Sequence, residues 1–64
     1  MKVYFRNGIR YEIEDLKPSG GQSCAHITFV DQNGEEKDLL LEGWGEPKNE
    51  AEFDFLLEEI EDRV

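Results

Sequence analysis

Apolar residues recur along this chain with two different periods. Through residues 1–14, "MKVYFRNGIRYEIE", and again through "CAHITFV", they alternate with polar ones, the period-two signature of half-buried strands. Through residues 49–64, "NEAEFDFLLEEIEDRV", they return at three- and four-residue intervals, as a helix with one buried stripe requires. With "EEKDLLLE" as a further strand, the pattern predicts two hairpins followed by one C-terminal helix. The expected fold class is α+β: a four-stranded antiparallel meander with the helix packed on one sheet face.

Each hairpin carries an X-Asn-Gly turn, and the register depends on its length. A two-residue turn at Asn7-Gly8 pairs Phe5 with Arg10 and Val3 with Glu12, mixing apolar and polar faces. A three-residue loop, Arg6-Asn7-Gly8, pairs Phe5 with Ile9 and Val3 with Tyr11 instead, with Gly8 at a left-handed bulge. A one-residue slip inverts every side chain, so the hydrophobic pattern selects the three-residue loop. The same reasoning gives the second hairpin a Gln32-Asn33-Gly34 loop, pairing Phe29 with Lys37, Ile27 with Leu39 and Ala25 with Leu41.

On the helix, residues two apart do not share a face. At about 100° per residue, Phe53, Leu56, Leu57, Ile60 and Val64 fall on one stripe, and Phe55 lies nearly opposite. Phe53 is therefore assigned to the core and Phe55 to solvent. Asn49 is the expected N-cap, with Glu52 completing a variant of the capping box. The expected core is Val3, Phe5, Ile9, Tyr11, Ile13, Ala25, Ile27, Phe29, Leu39, Leu41, Trp44, Phe53, Leu56, Leu57 and Ile60. That leaves Tyr4, Val30 and Leu40, with His26 and Thr28, on the outer sheet face.

Two connectors complete the organisation. Residues 16–23, "LKPSGGQS", form a turn-rich link. It lacks the Gly-Lys-Ser/Thr ending of a phosphate-binding loop and leads into a strand, so a flexible connector is expected. In "EGWGEPK", Trp44 between Gly43 and Gly45 is expected to fold over the end of the core, with a binding anchor as the second reading.

Composition narrows the classes. Sixty-four residues make a single small ββββα domain, 1–64, with room for one core and little for a buried active-site cavity. One cysteine excludes an internal disulfide and, with no continuous apolar segment at the start, fits a cytoplasmic protein. Sixteen acids against seven bases give a net charge of −9. Residues 1–30 hold four bases and three acids, a balance of +1; residues 31–64 hold three bases and thirteen acids, a balance of −10. Such a half repels nucleic acid and attracts basic partners. Solubility explains part of it, but not the Glu58, Glu59, Glu61 and Asp62 cluster, which opposes the helix dipole.

Candidate chemistry is sparse. Cys24 and His26, near Asp38 and Glu42, are too few for a structural zinc site, which draws on two ligand pairs. On one strand face their side chains run parallel and do not form a nucleophile–base pair. The carboxylates stand on an open helix, where nothing tunes them for acid–base work. No catalytic, metal or cofactor residue is assigned, and an enzyme is not expected. The sequence points instead to a non-enzymatic interaction module. Its partner-binding residues are Phe55, Glu52, Glu58, Glu59, Asp62 and Trp44, an aromatic anchor with an anionic rim for a protein with a basic surface. Basic surfaces commonly hold nucleic acid, so an inhibitor or nucleic-acid mimic of the kind phages and mobile elements encode is the specific form of this reading. The alternatives are a single-strand binder using Lys2, Tyr4, Arg6 and Arg10 of the first hairpin, and an accessory homodimeric domain without a separate ligand.

Overall fold

The computed structural model describes residues 1–17 and 21–64. The expected centre of the first connector, residues 18–20, lies outside them. Strands β1 (Lys2–Arg6), β2 (Ile9–Asp15), β3 (Cys24–Val30) and β4 (Glu36–Glu42) form one antiparallel sheet in sequential order, followed by helix α1 (Glu50–Arg63). The α+β meander expected from the pattern is the fold observed.

The second hairpin has the expected register, with Phe29 opposite Lys37, Ile27 opposite Leu39 and Ala25 opposite Leu41. Its loop closes through Asp31. The Asp31 carboxylate accepts hydrogen bonds from the backbone N–H groups of Asn33 and Glu35, each at 2.9 Å, and its carbonyl accepts from Gly34 at 3.0 Å. Gly34 is left-handed at φ 82°, as the bulge of a three-residue loop requires.

The first hairpin differs from expectation. Val3 faces Glu12, Tyr4 faces Tyr11 and Phe5 faces Arg10, which is the register of the two-residue turn. Asn7 (φ 54°) and Gly8 (φ 79°) both lie in the left-handed region, the mirror-image turn whose twist matches that of the flanking strands. Every β1 side chain is inverted as a result. Val3 and Phe5, assigned to the core from the pattern, point away from the helix, and Phe5 is 65% exposed. Tyr4, assigned to the outer face, points inward and stacks on Phe53 with centroids 4.6 Å apart. Turn chemistry and the gain from burying an amphipathic tyrosine outweigh the simple apolar alternation.

The core comprises Tyr11, Ile13, Ala25, Ile27, Phe29, Leu41, Phe53, Leu56 and Ile60, with Tyr4, Ile9, Leu39, Trp44 and Leu57 packed at its margin. Phe53 is fully enclosed, meeting Tyr4 on one side and Tyr11 at 5.4 Å. Arg6 lays its guanidinium 5.1 Å from the Phe53 ring centre and bonds Glu50 (3.0 Å) and Asp54 (2.9 Å) at the helix start. Val64, placed on the buried stripe by its angle, lies beyond the last helical turn and is exposed.

Candidate partner-binding surface

The segment between β4 and α1 decides what surrounds Phe55. Gly43, at φ 86°, turns the chain out of β4 and donates its N–H to the Ser23 carbonyl at 2.9 Å. Gly45 then passes close to β2: a Cβ there would stand 3.2 Å from Asp15 Oδ2 and 3.5 Å from Ser23 Oγ. The Tyr4 hydroxyl donates to the Pro47 carbonyl at 2.8 Å and ties the far end of the segment to β1. Burial raises the Tyr4 pKa above its ordinary value of 10.0, and the field of Glu50, Glu52 and Glu46 raises it further. The segment is thus held at both ends, with Trp44 half-buried between them against the core margin.

Helix α1 begins at Asn49, whose extended backbone (φ −156°) and side chain cap the first turn by accepting from the Glu52 N–H at 2.9 Å. Glu52 reciprocates one residue earlier than a standard capping box, accepting from the Lys48 N–H at 2.9 Å. The helix stripe then buries Phe53, Leu56 and Ile60 and turns Phe55 outward, 65% exposed.

Two adjoining hollows share Trp44 and Phe55. The first, about 420 Å³, is lined by residues 43–47 with Glu52, Phe55 and Leu56, and its walls are mostly apolar. The second, about 520 Å³, is lined by Trp44, Phe55, Glu58, Glu59, Glu61 and Asp62, and its walls are mostly polar. All six residues assigned from the sequence therefore meet in one region. Their electrostatic roles differ. Glu52 caps the helix, and Glu59 pairs with Arg63 at 3.0 Å. Among the described residues no cation lies within ion-pair distance of Glu58, Glu61 or Asp62. Glu61, missed among the assigned site residues, lines the carboxylate hollow. Its place in the acid cluster was legible; the hollow it lines with Trp44 was not, because that depends on the path of residues 43–47.

The outer sheet face carries a second, patchier surface. Val3, Phe5, Val30 and Leu40 are exposed on it, among Glu12, Glu14, Glu36, Asp38 and Glu42. Arg10 Nη1 pairs with Glu12 at 2.6 Å, and His26 Nε2 lies 2.6 Å from Asp38. Cys24 faces Glu42 across the β3–β4 ladder, and no group of three potential metal ligands gathers among the described residues. No helix among them is long and apolar enough to cross a membrane. The residues of the single-strand reading are divided: Tyr4 and Arg6 are engaged with Phe53 and the helix, and Arg10 with Glu12.

In comparisons with known proteins, no family model, no curated protein and no solved structure matches this chain.

Proposed function

We propose that this protein is a non-enzymatic interaction module whose α1 surface docks on a basic partner. One observation carries the reading: Phe55 stands 65% exposed between an apolar and a carboxylate hollow, beside Glu58, Glu61 and Asp62, which have no ion-pair partner among the described residues. A large aromatic ring with an apolar neighbour pocket supplies contact area, and the carboxylates supply orientation and fast encounter. The specific form is occlusion: carboxylates at Glu58, Glu61 and Asp62 take the place of phosphates on a protein whose own ligand is nucleic acid. A homodimer through the outer sheet face is disfavoured, because that face carries Glu12, Glu14, Glu36, Asp38 and Glu42 against Arg10, so two copies would meet with like net charge.

Affinity capture tests the proposal. Immobilised wild-type protein should retain a basic protein from a native extract, and Phe55→Ala with Glu58→Lys should lose it. Adding the free module should then displace labelled nucleic acid from the captured protein. An unchanged set of captured proteins overturns the reading.

A further inference from the structure

The two hollows beside Phe55 differ in chemistry, and together they describe a ligand. The hollow toward the helix start is walled mainly by Trp44, Pro47, Phe55 and Leu56, with Glu46 and Glu52 also lining it, and has space for an aliphatic side chain. The hollow toward the helix end is walled by the same two aromatic rings and by the Glu58, Glu61 and Asp62 carboxylates. Resting on the docking role above, we infer that the contact segment of the partner is bipartite. It presents one aliphatic anchor for the first hollow and, beside it, arginine for the second.

The spacing follows from the helix. Glu58 and Glu59 stand one turn beyond Phe55 and Asp62 two turns beyond, about 5 and 10 Å along the axis. A ligand helix with leucine at one position and arginine four residues later spans about 6 Å and matches the first of these. Two successive arginines a turn apart reach both. Arginine fits better than lysine for two reasons. Its planar guanidinium stacks on an aromatic ring, and its fork bonds two carboxylate oxygens at once. An ammonium group finds the same charge but neither the stacking nor the two-toothed geometry. The existing pair of Arg6 over Phe53, bonded to Glu50 and Asp54, is the same combination within the chain itself.

Trp44 is the single tryptophan of the chain and sits in both hollows, so its fluorescence reports occupancy directly. The experiment titrates the protein with three tryptophan-free helical peptides: one with leucine followed at turn spacing by two arginines, one with lysines for the arginines, and one with alanine for the leucine. The first should shift Trp44 emission and bind about tenfold more tightly than either other, a gain of the size expected of a desolvated stacked cation or one buried aliphatic chain. Because Phe55 lines both hollows, Phe55→Ala should abolish both preferences, whereas the Glu58→Gln, Glu61→Gln double variant should abolish the preference for arginine and keep that for leucine. Equal affinity for all three peptides overturns the bipartite ligand and leaves docking on a basic surface standing. Failure of all three to move Trp44 emission also overturns it, and the capture experiment then decides the docking role separately.

Discussion

The Tyr4 ring lies flat against Phe53, 4.6 Å between centroids and 10° between planes, and joins the first strand to the helix. The contact exists because the first hairpin turns on two residues and not three, so that Tyr4 and not Phe5 faces the helix. It also supports the candidate surface. The Tyr4 hydroxyl holds Pro47, and with it the segment that sets Trp44 beside Phe55.

Exchanging the two aromatic positions of β1 tests that register. Tyr4→Ala should lower the free energy of unfolding by about 2–4 kcal/mol through the loss of a packed ring. Tyr4→Phe, which keeps the ring and removes the bond to Pro47, should lower it by about 1 kcal/mol. Phe5→Ala should change it by no more than about 0.5 kcal/mol, since the ring is mostly in solvent. Urea unfolding followed by far-ultraviolet circular dichroism gives all three values. A larger effect at Phe5 than at Tyr4 contradicts the register.

The two X-Asn-Gly turns make a matched pair. Gly8→Ala meets no neighbouring atom, so its effect isolates the left-handed backbone, about 1–2 kcal/mol. Asp31→Ala removes two side-chain hydrogen bonds from the second loop and should destabilise by about 1–2 kcal/mol. The same urea series measures both.

Those turns also show where the sequence is readable. Both hairpins carry the same tripeptide pattern, yet only the second forms a three-residue loop. Asp31 stands before Gln32 and its carboxylate braces the wider loop; Phe5 stands before Arg6 and offers no acceptor. In β3 and β4, Ala25, Ile27, Phe29 and Leu41 leave one register that buries them together, so alternation alone finds it. In β1, Tyr4 and Arg6 have apolar bodies and polar ends, and a two-letter alphabet misjudges them. Phe55 was legible from helical angle alone. The hollows on either side of it were not, because they depend on where Gly43, Gly45 and the Tyr4–Pro47 bond carry the chain.

The two ends of α1 should respond in opposite ways to loss of a polar group. Asn49→Ala removes the N-cap and should destabilise by about 1 kcal/mol. Glu58→Gln and Glu61→Gln relieve repulsion among acids near the negative end of the helix dipole and should stabilise by a few tenths of a kcal/mol each. Thermal unfolding at low and high salt checks this, since the gain at Glu58 and Glu61 should shrink as salt rises. A gain in stability with a loss of binding is the expected mark of charges kept for a partner.

Stability should fall on the alkaline side through Tyr11 in the core and Tyr4 at its margin. Burial raises the pKa of Tyr11, with Glu61 adding to it, and raises that of Tyr4 as described above. Each raised pKa means that the folded chain keeps a proton the unfolded chain releases. The associated stability is fully present below about pH 10 and declines as pH rises through the folded values. Urea midpoints above pH 10 should drop, and Tyr4→Phe should flatten part of that drop.

The most direct measurement is chemical-shift mapping of isotope-labelled protein as a captured basic partner is added. The largest changes should fall on the Trp44 indole N–H, the Phe55 ring and the amides of Glu58, Glu61 and Asp62, with the outer sheet face little altered. Changes centred on Phe5, Val30 and Leu40, with Trp44 and Phe55 unmoved, would contradict docking through α1.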